Sequence, residues 1–179
     1  TKHIIGLTYS QSFFDGKMQN VFFAKDYVNH PNIRQTDQST VTGSDKVQGS
    51  TTKNYFGYGT GLRYMFFDPL AVKVSYEHSV RLPIARELLG NGTTIYANVA
   101  LKPEKSNNVN LALFGTWHPA GRHTIYYEAN GFLRYVDNYI QTSVIEKEGM
   151  MQFVNDPAVH IKGVEGEIRY DWDGRLQLM

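Results

Sequence analysis

The feature that most constrains this chain is a period-two alternation of apolar and polar residues that recurs from one end to the other. In its cleanest run Leu70, Val72, Val74, Tyr76 and Val80 fall on one face, and Lys73, Ser75, Glu77, Ser79 and Arg81 on the other. A period of two is a β-strand with one apolar side. Ile5, Leu7, Tyr9 and Phe13 form a second such run, and Val21, Phe23 and Tyr27 continue it less regularly. Phe56, Tyr58, Leu62, Tyr64 and Phe66 oppose Gly57, Gly59, Gly61 and Arg63 in a third. Later runs set Val109, Leu111, Leu113 and Trp117 against Asn108, Asn110 and Thr116, and Ile125, Tyr127, Ala129, Leu133 and Tyr135 against Thr124, Glu128, Asn130 and Arg134. The last sets Val164, Ile168, Tyr170 and Trp172 against Glu165, Glu167, Arg169 and Asp171.

Tight-turn signals punctuate these runs at Asp15-Gly16, Asp68-Pro69, Pro119-Ala120-Gly121 and Asp173-Gly174, at successive spacings of 53, 51 and 54 residues. Between them lie longer polar connections at residues 31–52 and 83–102, and a shorter one near Glu146 to Gly149. No repeated sequence accompanies the spacing, which argues against a solenoid or propeller of copied units. What repeats is geometry. Short turns on one rim and long loops on the other are the arrangement of an outer-membrane barrel. The expectation is an all-β antiparallel up-and-down meander of about eight long strands. Phe13-Phe14, Phe66-Phe67, Trp117 and Tyr170/Trp172 all precede a short turn, as an aromatic girdle at a lipid interface would.

With 18 basic and 17 acidic residues, the net charge of +1 gives no electrostatic reason to propose nucleic acid or an anionic membrane surface as a partner. The absence of cysteine removes thiol nucleophiles, thiolate metal sites and disulfides. No run approaches the roughly 18 apolar residues of a membrane-spanning helix, and the mean hydropathy of −0.39 is polar. That average is compatible with a wet-lumen barrel, in which only alternate residues face lipid. Lys73, Glu77, Arg81, Glu128, Arg134, Glu165, Glu167 and Arg169 then point inward, because Arg or Lys at the lipid midplane costs about 2–4 kcal/mol.

Catalytic constellations are thin, and no enzyme activity, catalytic residue, metal site or cofactor is expected. His3, His30, His78, His118, His123 and His160 show no i, i+2 or i, i+4 pair, and no G-x-S-x-G turn frames a nucleophile. Gly57-Tyr58-Gly59-Thr60-Gly61 lacks the Lys-Ser/Thr and helix of a phosphate loop. Alternate glycines on one strand face instead leave room for something packed against them. The ligand-binding candidates lie in or beside the loop of residues 83–102: Arg81, Arg86, Glu87, Asn91, Tyr96 and Asn98, with Arg34 in the earlier loop.

Two ordered stretches carry a resemblance. Ser75-Tyr76, Arg81-x-Pro83, Glu87-Leu88-x-Gly90 and Leu101-Lys102-Pro103-Glu104-x-Ser106-Asn107-Asn108, followed by Phe153-Val154-Asn155, Lys162-Gly163-Val164-Glu165-x-Glu167 and Tyr170, resemble the C-terminal barrel signatures of TonB-dependent outer-membrane receptors. Asn110 stands where that family usually has Glu. The resemblance implies that residues 1–179 are part of a barrel of about 22 strands with a plugged lumen, cut at both ends and lacking the plug. It implies a bacterial outer-membrane location in contact with lipid, with loops extracellular and short turns periplasmic. It implies uptake of a scarce nutrient (iron chelate, haem, cobalamin or glycan) energised by a TonB complex acting through the missing N-terminal part. Arg81, Pro83, Glu87, Gly90, Pro103, Glu104, Gly163 and Glu165 are then structural motif residues. The rival readings are a soluble all-β ligand-binding module and a small self-contained outer-membrane barrel.

Overall fold

A computed structural model describes residues 2–29, 32–36, 46–50, 53–91, 93–119, 121–145 and 149–178. Its elements are β1 (Lys2–Phe13), β2 (Met18–Asn29), β3 (Asn32–Thr36), β4 (Lys46–Ser50), β5 (Lys53–Phe67), β6 (Leu70–Arg81), α1 (Ala85–Leu89), β7 (Ile95–Tyr96), β8 (Glu104–Trp117), β9 (His123–Ile145), β10 (Met150–Trp172) and β11 (Leu176–Leu178). Eight strands form one antiparallel meander in the order β1-β2-β5-β6-β8-β9-β10-β11. This is the architecture the alternation predicts, as an open sheet.

The differences from the sequence reading lie on the long-loop side. Residues 31–52, read as a polar loop, contain the hairpin β3–β4, paired from Asn32↔Ser50 to Thr36↔Lys46. Strand β8 starts at Glu104 rather than Val109, because its polar first turn still ladders onto β6 as far as Arg81↔Glu104. The helix α1 and the two-residue strand β7 lie in the loop that follows β6. Most of the connection near Glu146 to Gly149, and the side chain of Arg34, lie outside the described residues.

The Asp-Gly turns behave as their chemistry requires. Asp15, Gly16, Asp173 and Gly174 all have positive φ, and Lys17 and Arg175 close three-residue hydrogen bonds to Phe14 O and Trp172 O at 3.0 and 2.8 Å. Asp and Gly are thus the two central residues of a tight turn within loops of four residues (14–17, where Phe14 also has positive φ) and three residues (173–175).

Register assigns the faces, since directly opposite residues share one. Leu62, Val74, Leu111, Gly131 and Val164 form one cross-sheet row on the apolar face. On β2 it is Phe22 and Ala24 that join this face, opposite Tyr9 and Leu7. Phe23 and Tyr27 turn to the polar face, where their rings fill the room over Gly59 and Gly57: a Cβ on Gly59 would lie 2.5 Å from Phe23 Cζ, and one on Gly57 3.1 Å from a Tyr27 ring carbon.

The strands are steeply inclined. The row through Met18, at the first short turn, passes Tyr64, Val72, Leu113 and Ala129 to Gly166, yet β10 runs six residues further, to Trp172, before it turns. Six residues at about 3.3 Å against five strand spacings of about 4.8 Å give a tilt of about 40° if the turns share a plane. This lies within the 35–45° of membrane barrels. The apolar stripes from Val109 to Trp117 and from Ile125 to Tyr135 then project to about 20–25 Å along the barrel axis.

The sheet has little core. Val164 is 84% exposed, Leu7 75% and Ile168 69%, and the buried apolar residues are Ala71, Val80, Leu82, Ile95, Leu101, Val136 and Ile140. Five of these seven belong to the loop after β6 and the part of β9 beneath it.

Candidate functional site

Residues 82–103 form a lash that leaves β6, passes β8 and β9, and fastens to the far edge of β10. Arg81 is its hub. Its Nε and Nη2 donate to Glu104 Oε2 and Oε1 at 2.7 and 2.8 Å, a side-on bidentate pair, and Nη1 donates to Glu87 Oε1 and Oε2 at 2.9 and 3.2 Å. The Glu87 and Glu104 side chains are 10% and 9% exposed, and Arg81 is 43% exposed.

Each carboxylate also takes a backbone donor. Glu87, in the first turn of α1, reaches back to the Ile84 N–H at 2.9 Å, half of a capping box. Glu104 Oε1 accepts the Ile140 N–H at 2.8 Å. The reason is strand length: β9 continues to Ile145, whereas β8 begins at Glu104 and ladders only to Asp137. The carboxylate thus replaces the missing strand at Ile140. Burial alone would push the Glu104 carboxyl up, but the Arg81 guanidinium and the Ile140 N–H outweigh it and hold it below the usual carboxylate value. The Glu104 hydrogen bond in turn raises Arg81 further above its already high value.

Beyond the helix, Gly90 has φ +67°, and its N–H donates to Arg86 O at 2.9 Å. A Cβ there would sit 2.1 Å from Ile95 O, so only glycine fits. Asn91 Oδ1 then accepts from the N–H groups of Thr93, Thr94 and Ile95 at 3.1, 2.9 and 2.8 Å. This local turn aims the chain at β10.

There β7 pairs in parallel with Met151 and Gln152. Met151 N–H donates to Thr94 O at 2.9 Å, Asn98 Nδ2 to Phe153 O at 2.8 Å, and Gln152 Nε2 to Ala97 O at 2.9 Å. Asn155 completes the fastening: Oδ1 accepts the Lys102 N–H at 2.8 Å, and Nδ2 donates to Lys102 O and Asn138 O at 3.0 and 2.8 Å. Val136, 3% exposed, shares the polar face with Arg134 and Glu128. The lash therefore lies over that face.

The structure brings most of the sequence candidates together and gives them different surroundings. Arg81, Glu87 and Glu104 are one cluster, with Pro83 buried beside it and Pro103 at the entry to β8. Asn91 and Asn98 are committed to the lash's own hydrogen bonds. Arg86 is exposed and forms no ion pair among the described residues, and Tyr96 is 41% exposed. Gly163 and Glu165 lie apart: Gly163 sits under the Phe132 ring, where a Cβ would meet Cζ at 2.5 Å, and Glu165 is exposed opposite Asn130. Asn155, Gln152 and Asn138 were not among the candidates. Two signals point to them: Asn155 within the second matched stretch, and Pro157 interrupting a strand pattern opposite Asn138, whose φ is +54°.

Elsewhere the polar wall satisfies much of its own charge. Lys25 meets Glu77 at 3.5 Å, Arg169 pairs with Glu167, Tyr126 donates to Glu128, and Arg63 lies 5.6 Å from the Phe114 ring centroid. A shallow depression of about 400 Å³ lies between Lys73, Asn110, Phe114 and Glu128. Among the described residues no three His, Asp or Glu are grouped to hold a metal.

Comparison with known proteins agrees with this geometry. Two solved structures share the fold: the Serratia marcescens hemophore receptor HasR, in complex with its hemophore HasA and heme (TM-score 0.71, 15% identity, covering 95% of this chain and 32% of that one), and the copper transporter OprC (TM-score 0.75, 16% identity, 98% and 27%). The chain thus spans about a third or less of the length of either structure. A search of curated proteins finds no match. The family model described as TonB dependent receptor-like, beta-barrel matches residues 11–179, and the chain belongs to that family of outer-membrane transport receptors.

Proposed function

We propose that this chain is the wall and outer-loop segment of a receptor that takes up a scarce nutrient, such as an iron chelate, haem, cobalamin or glycan, with energy supplied through TonB. The observation that carries the reading is the uncovered apolar face. A soluble β-module turns such a face inward, whereas here Val164, Leu7, Ile168 and Ile5 are 84%, 75%, 69% and 68% exposed. The apolar stripes of β8 and β9 on the same face, about 20–25 Å along the axis, match the roughly 25 Å apolar band of a membrane barrel. Strand tilt and one-sided loops support the same reading, with short turns periplasmic and long loops extracellular. A self-contained barrel is disfavoured because β1 and β11 do not pair with each other among the described residues.

In this reading the lash is a fixed ledge on the lumen side of the extracellular rim. Arg81, Glu87, Asn91 and Asn98 hold it, while Arg86 and Tyr96 face the incoming nutrient. One experiment tests the orientation. Nitroxides on cysteines placed singly at Val164, Glu165, Ile168 and Arg169 of the intact receptor in vesicles are expected to alternate, with oxygen reaching 164 and 168 and a polar nickel chelate reaching 165 and 169. Uniform access along the strand defeats the reading.

A further inference from the structure

The apolar face carries a cluster of basic side chains at its far edge that barrel closure and nutrient capture leave unused. Lys105 on β8 and His160 and Lys162 on β10 are exposed around Tyr135 on β9. All four sit on the apolar face, because Val109↔Leu133↔Lys162 and Asn107↔Tyr135↔His160 are register rows of that face and Lys105 is two residues from Asn107. None of the three basic side chains forms an ion pair among the described residues, although Asp137 lies opposite Lys105 in register.

Register rows are not level in a tilted barrel. With a tilt of about 40°, a level line drops about one residue per strand, which brings Lys105, Tyr135 and His160 to one height and leaves Lys162 one pleat lower. Along β10, Lys162 is ten residues from Trp172 and His160 twelve, or about 25 and 30 Å above the short-turn girdle. The apolar band of a membrane barrel is about 25 Å tall. Lys162 therefore stands at its upper limit, and Lys105 and His160 stand in the headgroup layer beyond it.

His160 and Tyr135 are seated edge to face, with ring centroids 4.7 Å apart. Below them Asn107 Oδ1 accepts both the Tyr76 hydroxyl at 2.9 Å and His78 Nδ1, as donor, at 2.8 Å. The His78 ring, on the same face, stacks on Tyr58 with centroids 5.4 Å apart. Aromatic rings at the interface beside basic side chains are an arrangement that suits a lipid headgroup.

We propose that Lys105, His160 and Lys162, grouped around Tyr135 on the lipid face, bind the phosphate of an anionic headgroup in the outer leaflet. Two ammonium groups and an imidazole N–H supply donors to the charged phosphate oxygens, and Tyr135 supplies the aromatic surface between them. Asp137 and Asp156 share this face but stand beyond the three basic residues, two residues past Tyr135 and four past His160 on the side away from the short turns.

The inference rests on the lipid-facing orientation proposed above, so the test carries both readouts. The intact receptor is placed in phosphatidylcholine nanodiscs containing spin-labelled phosphatidic acid, whose headgroup is a bare phosphate monoester. The motionally restricted fraction is compared with that of spin-labelled phosphatidylcholine. Phosphatidic acid is expected to be enriched several-fold at the protein surface, and Lys105→Gln with Lys162→Gln is expected to abolish most of that enrichment, whereas Lys73→Gln on the opposite face leaves it unchanged. No enrichment in the unmodified receptor, or enrichment that survives the double substitution, overturns the proposal. A nitroxide at Ile168 in the same discs separates the failures. If oxygen reaches it and the nickel chelate does not, the wall is oriented as proposed and only the phosphate site has failed.

Discussion

Replacing Arg81 by Ala removes the guanidinium from four charge-assisted hydrogen bonds and leaves two carboxylates, 9–10% exposed, with one backbone donor each. Breaking a buried ion pair from one side costs about 3–5 kcal/mol. Arg81 is itself 43% exposed, so water replaces part of what is lost and the cost falls to about 2–3 kcal/mol. The loss is local. It acts on the lash and the projecting part of β9, while the ladder in the apolar band is separate and keeps its stability. Hydrogen exchange of the intact receptor is therefore the assay, read on peptides covering residues 82–103 and 136–156. About 2–3 kcal/mol corresponds to a roughly 30- to 150-fold loss of protection, largest at Ile140 and Met151, with residues 125–133 unchanged.

The pH dependence fixes the sign. Because Glu104 is depressed in the folded state, its stabilisation is present above the unfolded carboxylate value of about 4.3 and is lost as pH falls through the lower folded value. The difference between Arg81→Ala and the parent is then expected to be full at neutral pH and to shrink below about pH 4. Equal protection in the two proteins at neutral pH, or a difference that grows on acidification, would refute the argument.

Other perturbations are expected to separate the parts. Gly90→Ala puts a Cβ 2.1 Å from Ile95 O at a positive φ. It should release β7 from β10, seen as fast exchange at Met151 while Ile140 stays protected. Ile168→Arg, on the face proposed to meet lipid and near the middle of the band, is expected to cost about 2–4 kcal/mol in reversible unfolding from vesicles, whereas Glu165→Arg on the polar face should change stability little. Gly59→Ala would push a Cβ to 2.5 Å from Phe23 and 2.7 Å from Tyr76 O. It is expected to destabilise the β2–β5 pairing by about 1–3 kcal/mol, and Phe23→Ala in the same chain should relieve part of that cost.

The strands were legible because alternation is enforced residue by residue: in a membrane barrel a charge on the wrong face meets lipid, and one slip of register inverts a strand. The turns were legible because Asp-Gly supplies the positive φ that the hairpin needs. The lash was less so. Its motif residues could be picked out, but the distance from Arg81 to Glu104 in sequence does not reveal that Glu104 serves a third strand through Ile140 N–H. That bond exists only because β9 outruns β8, a difference in length between non-adjacent segments. Phe23 and Tyr27 were ambiguous for a related reason. An aromatic fits either the lipid face or a polar face that offers glycine, and only the register to Gly59 and Gly57 decides.

The lash also settles an edge. Along β10, Met151 N–H and Phe153 C=O point away from β9, and both are taken, by Thr94 O and Asn98 Nδ2. Lower on β10, from Tyr170 to Trp172, the same edge is taken by β11. A strand laddered upward along this edge therefore meets the lash at Phe153 and can pair no further. An unpaired edge in a projecting hairpin is a site for pairing with another chain, and here a loop that starts three strands away covers it. The cluster at Arg81 thus does more than stiffen a loop: by fixing where the lash departs, it places Thr94 and Asn98 at the height where β10 would otherwise be bare. Freeing the lash, as Arg81→Ala or Gly90→Ala does, is then expected to expose that edge as well as loosen the ledge, and the hairpin of β9 and β10 should become the site where receptors associate.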